Sequence, residues 1–189
     1  MHTPSGSAGR RQVLAIAGTA LGLSMIGLLV TPASAGTNST DITCLTGSRN
    51  TVYTPPLTYA PTATSLDINE QFSCVSLLSG VSSGSAAFVV SAPSTSCLVS
   101  VQHPLTSISV TYRWNNASSS TVNFTSSTAA RAADGTVTIT SIGTVTAGLG
   151  SGQLATKVTV EPNPDLTVCL DGGLSETNSV INSLVIAPV

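Results

Sequence analysis

The sequence predicts an all-β fold, an immunoglobulin-like antiparallel β-sandwich of about eight or nine strands with two disulfides. Three observations predict it. Beyond the N-terminal segment, no stretch as long as a typical helix carries helical periodicity, whereas several stretches alternate with a period of two. Turn chemistry recurs at roughly the spacing of short strands, which favours a sandwich over a closed barrel. Serine and threonine are abundant while charged residues make up 7% of the chain, so solubility comes from hydroxyls interleaved with apolar β-branched residues, a pattern of secreted all-β domains.

The elements follow in order. Residues 1–35 read as a signal peptide: a basic stub ending in Arg10 and Arg11, an apolar run from Val13 to Val30 diluted by Gly18, Gly22 and Gly27, then Ala33-Ser34-Ala35, with cleavage between Ala35 and Gly36. Arg10-Arg11-Gln12-Val13-Leu14 resembles a twin-arginine export signal, with Gly9 where a serine or threonine is usual; the general secretory route fits as well. The expected location is therefore extracellular, with no membrane span left after cleavage. Residues 36–41 read as a flexible leader and 42–189 as a single domain. Within it, strands are expected at Asn50–Tyr53, Thr62–Ile68, Ala86–Val90 and Leu98–Val101. The clearest strand is Ser107–Trp114, where Ile108, Val110, Tyr112 and Trp114 share one face. Asn115 to Ser119 supplies a turn, asparagine tolerating positive φ, and the alternation resumes with Val122 and Phe124 inward, so the two strands form a hairpin. Ala133-Asp134-Gly135 opens a strand over Thr136–Val145, with Thr136, Thr138 and Thr140 outward. Gly148, Gly150 and Gly152 end it, and Leu154–Val160 and Val180–Ile186 complete the set.

Four cysteines in an exported chain imply two disulfides. A hairpin centred near Tyr59 places Cys44 opposite Cys74 and leaves Cys97 for Cys169; this pairing is favoured over the two others. Zinc is disfavoured, because there is no Cys-x-x-Cys spacing and His103 is the one histidine beyond the signal segment. Of the basic residues, Arg49, Arg113, Arg131 and Lys157 stay after cleavage, against all eight acidic ones. That balance argues against nucleic acid or an anionic membrane as partner. Cell-envelope or glycan contact is the class of partner left to consider, and nothing calls for a cofactor.

Cys44 with Gly47, Tyr53-Thr54-Pro55-Pro56-Leu57-Thr58, Cys74-Val75-Ser76, Arg113-Trp114-Asn115-Asn116 with its serine run, Gly143 to Gly148, and Leu166 with Cys169 give the chain a resemblance to a group of small secreted actinobacterial proteins. The resemblance covers most of the chain beyond residue 35. It implies a signal peptide plus one disulfide-bearing β-sandwich and no assigned activity. Pro56 and Ala117 stand where glycines of the tyrosine-proline and tryptophan-turn motifs are expected.

Catalytic chemistry finds little support. No Gly-x-Ser-x-Gly elbow surrounds a serine, and His103, followed by Pro104, reads as a turn residue. Glu161, Asp165, Asp171 and Glu176 cluster along the chain around Cys169; a solvated acidic loop is the ordinary explanation, with calcium binding or a two-carboxylate hydrolase as the sharper ones. Tyr53 and Tyr59, near the proline-rich bend, are the candidate ligand contacts for a carbohydrate-binding module or adhesin, since sugar faces stack on exposed rings. Trp114 reads as a core residue beside a disulfide. The Thr136, Thr138 and Thr140 face reads as an ordinary solvated strand, and three Asn-x-Ser/Thr triplets, at Asn38, Asn116 and Asn123, as chance matches. The expectation is an exported, non-enzymatic β-sandwich that binds a partner or occupies the cell surface.

Overall fold

The computed structural model describes residues 41–98 and 107–188. The signal segment with its Ala35–Gly36 cleavage point, the leader as far as Thr40, the Asn38 triplet and His103 lie outside the described residues.

Among the described residues there are eight strands: β1 (Ile42–Leu57), β2 (Thr62–Val75), β3 (Ser83–Thr95), β4 (Ile108–Trp114), β5 (Ser119–Arg131), β6 (Val137–Gly148), β7 (Leu154–Glu161) and, after the short helix α1 (Leu166–Leu170), β8 (Leu174–Ala187). Each strand pairs antiparallel with the next, and β8 returns to β1, so the sheet closes on itself as an up-and-down barrel. The sandwich expectation is overturned. Alternation and turn spacing are common to both architectures, and what separates them is strand length and the pairing of first strand with last. β1 runs for 16 residues and β2 and β8 for 14 each, far longer than the segments that alternation marks. Strands of that length, tilted and twisted, bring the two outer edges together. Ile42 then faces Ile186, and Val52 faces Glu176, which satisfies both edges that an open sheet would leave unpaired. Leu98 lies in a turn rather than in a strand, and the rest of the expected Leu98–Val101 strand is outside the described residues.

The two ends of the barrel differ. At the end bearing the β2–β3, β4–β5 and β6–β7 turns, the interior is filled by Ile42, Phe72, Tyr112, Trp114, Val122, Val145, Ile181, Leu184 and Ile186. Phe72, not assigned to the core by the alternation, is buried there and meets Tyr112 edge to face, 5.5 Å between centroids. Trp114 stacks on Tyr112 and donates from Nε1 to Ser120 Oγ at 2.9 Å. Its ring occupies the space that a side chain on the facing Gly84 would need, since a Cβ there would lie 2.4 Å from the ring. Gly148 is required for two reasons: its φ is +83°, and a Cβ would meet Ser119 O at 2.1 Å.

The disulfides join Cys44 to Cys74 and Cys97 to Cys169. The first bridges directly opposed residues of the β1–β2 hairpin. The second ties the chain leaving β3 to α1, at the opposite end of the barrel, with Leu57, Tyr53, Tyr59, Leu66 and Leu174 packed around it. Helix α1 is five residues long, too short for periodicity to reveal; Asp165 caps it by accepting from Thr167 N at 2.9 Å.

Candidate functional site

Toward the end bearing the second disulfide, the inward positions become small or polar, and a cavity of about 350 Å³ remains inside the barrel. Three strands determine its chemistry. In β1 a bulge between Cys44 and Thr46 adds one residue and exchanges the two faces, so that Gly47, Arg49, Thr51 and Tyr53 turn inward instead of Thr46, Ser48 and Asn50. In β2 strict alternation carries Ile68, Glu70 and Phe72 inward together. In β7 the polar face is the buried one: Lys157 and Thr159 are buried and Glu161 nearly so, while Leu154, Val158 and Val160 are more exposed. A second bulge, between Phe124 and Ser126, does for β5 what the first does for β1 and brings Ser127 to the cavity beside Ser141 of β6. Apolar walls come from Leu66, Phe88, Val90, Ile108, Val110, Phe124 and Ile139. On this side β3 and β4 are no longer paired to each other, their register comprising Gly84 with Trp114 and Ser85 with Arg113.

Four charged side chains meet in one cluster beside the cavity. Lys157 Nζ donates to Glu70 Oε1 at 2.7 Å and lies 5.2, 5.7 and 5.9 Å from the ring centroids of Phe124, Phe88 and Tyr112. Arg49 reaches both acids, with Nε 3.7 Å from Glu70 Oε1 and Nη1 3.3 Å from Glu161 Oε1. Glu161 Oε2 accepts from Ser179 Oγ at 2.8 Å. The Glu70 side chain has no exposed surface and lies behind the cavity wall, whereas Arg49, Lys157 and Glu161 line it. Burial pushes the Lys157 ammonium below the ordinary lysine value, with Glu70 opposing the shift. Burial likewise raises Tyr112 well above the ordinary tyrosine value, and the nearby Glu70 carboxylate adds to it. Glu70 Oε2, Tyr112 Oη and Arg49 Nε are buried without a hydrogen-bond partner among the described residues.

The residues singled out from the sequence fall elsewhere, with two exceptions, Tyr53 and Glu161. Tyr53 does line the cavity, but as a buried ring whose hydroxyl pairs with Thr177 Oγ1 at 2.9 Å; burial raises its pKa. Tyr59 is half-buried against the second disulfide and donates to Leu166 O at 3.1 Å. The two therefore form no exposed platform for a sugar. Nor do the four acids converge: Glu161 faces the barrel interior, Asp165 and Asp171 cap the two ends of α1, and Glu176 lies on the outer surface, accepting from Asn50. The carboxylate pair that a hydrolase would need is not formed there, and among the described residues no group of three or more His, Cys, Asp or Glu side chains is placed to hold a metal. Positive φ in the β4–β5 turn falls on Ala117, at +63°, not on an asparagine.

Sequence reasoning does not single out Arg49, Glu70 or Lys157 as site residues. A detectable signal exists for Glu70, a carboxylate at the inward parity between Ile68 and Phe72. Another is scarcity: two of the four cations beyond residue 35 lie inside the barrel.

No protein-family model, curated protein or solved structure matches the chain, and the likeness to secreted actinobacterial proteins rests on the quoted residues alone.

Proposed function

We propose that the protein is an exported, non-enzymatic binding protein whose ligand, a small and largely apolar molecule, occupies the barrel. The observation that carries this reading is the cavity: about 350 Å³, lined mainly by apolar side chains and hydroxyls, with Arg49, Lys157 and Glu161 as its charged groups. An eight-stranded barrel is wide enough either to be filled by side chains or to hold one small ligand, and this one is filled in one half and left open in the other. The cost of burying four charges supports the reading further, because a buried ion cluster is a poor device for stability. Export is supported by the N-terminal segment and by two disulfides. The outer face mixes exposed Ser48, Ser85, Ser109, Thr111, Thr144 and Thr146 with exposed Val52, Val89, Ile142 and Val180, and the aromatic rings are turned inward or packed at the barrel end rather than ringed around its outside. Among the described residues no helix is long and apolar enough to cross a membrane.

The test uses Prodan, a neutral naphthalene dye whose emission shifts to the blue out of water. Saturable binding of one dye per chain is expected, abolished by Ile139→Trp or Val90→Trp, which fill the cavity. Unsaturable binding, or binding unchanged in both variants, removes the proposal.

A further inference from the structure

We propose that the molecule held in the barrel is an apolar acid, with its hydrocarbon or aromatic body between Phe88, Ile108 and Ile139 and one carboxylate seated against Arg49 and Lys157. This rests on the barrel-binding reading above and adds the chemistry of the ligand's head. Among the described residues, the cavity lining carries two cations, Arg49 and Lys157, and one carboxylate, Glu161, which is already paired with Arg49. Lys157 has three N–H donors and uses one on Glu70. Arg49 has five, of which Nη1 donates to Glu161 and Nε lies buried 3.7 Å from Glu70 Oε1. Glu161 is already paired, Oε1 accepting from Arg49 and Oε2 from Ser179. Glu70, the other acceptor, lies behind the wall. The hydroxyls of Ser127 and Ser141, bonded to each other at 2.8 Å, both donate and accept and so favour neither sign of ligand.

A guest amine would bring a third cation beside two already desolvated. A guest alcohol would accept one uncharged hydrogen bond. A carboxylate makes charge-assisted bonds to both cations, the strongest arrangement these donors allow.

The experiment is a calorimetric titration of the full chain with octanoate, 1-octanol and octylamine, which share one hydrocarbon body. Octanoate is expected to bind about tenfold tighter than octanol, or more, and octylamine weakest. In the double variant Glu70→Leu with Lys157→Met, the ratio of octanoate to octanol affinity should fall by roughly tenfold. Octanoate no tighter than octanol in wild-type protein that binds Prodan overturns the proposal, as does a preference for octylamine, absence of binding by all three, or an undiminished advantage in the double variant. Should that variant not fold, the wild-type comparison decides alone. Absence of Prodan binding in the wild type is a different failure, that of the barrel-binding reading itself.

Discussion

Lys157, enclosed by three aromatic rings and one carboxylate, is tolerable in a barrel interior only as a member of its pair. Removing one partner strands a buried charge, whereas removing both leaves shapes that apolar groups can fill. Lys157→Met alone should therefore cost about 3 to 5 kcal/mol in urea unfolding, and Glu70→Leu with Lys157→Met should lie close to wild type or above it. A double variant as damaged as the single one would contradict the pairing. Tyr112 gives a second test, on pH. Its hydroxyl is buried without a partner among the described residues, and its folded-state pKa stands well above the ordinary 10.0. Below pH 10 both folded and unfolded chains keep the proton and stability is unaffected. Above it the unfolded chain releases the proton first, so stability falls as pH rises toward the folded value. Tyr112→Phe should be neutral to stabilising at pH 7, by up to about 1 kcal/mol, and should decline less steeply than wild type above pH 10. Parallel pH profiles would refute the assignment. Tyr112 and Trp114 are legible in the sequence as core residues, because with Val110 they keep one parity along β4; Arg49 is not, because its direction depends on an extra residue four positions earlier.

That extra residue belongs to the element scale, where alternation identifies a strand but not the face it buries. Leu154 to Val160 reads as a strand on period alone, yet its apolar Val158 and Val160 point outward and its lysine inward, the reverse of what burial of apolar surface would select. Local rules fail where a site imposes its own demand, and β7 is the clearest instance in the chain. The bulges in β1 and β5 act similarly, each exchanging faces within a strand that otherwise alternates. Turns are more legible. Asp134-Gly135 forms the expected β5–β6 turn, with Gly135 at φ +87° and Asp134 accepting from Thr136 N at 3.0 Å. The β4–β5 turn places Ala117 in the left-handed region, which costs an L-residue about 1 to 2 kcal/mol. Ala117→Gly should then raise stability by about 0.5 to 1 kcal/mol, the relief being partly offset by the freer unfolded chain. A thermal midpoint lowered by that substitution would show that the turn does not hold this conformation.

For the whole molecule, closure converts a set of hairpins into a container. Composition and turn spacing identify an all-β domain and two disulfides, but the pairing of β1 with β8 joins residues more than a hundred positions apart and leaves no local trace. Closure also decides the fate of the inward side chains: large rings pack one half solid, while threonine, serine and alanine leave the other half open beneath the second disulfide. The direct test is an amide NMR titration of the isotopically labelled protein with Prodan. Perturbations should concentrate at Thr51, Val90, Ile108, Ile139, Lys157 and Thr159, whose side chains line the cavity on five different strands. They should be small at the outward neighbours Thr138, Thr140 and Val158, and small in the packed half at Leu184 and Ile186. Perturbations confined to outward positions or to the packed half would contradict a binding site inside the barrel.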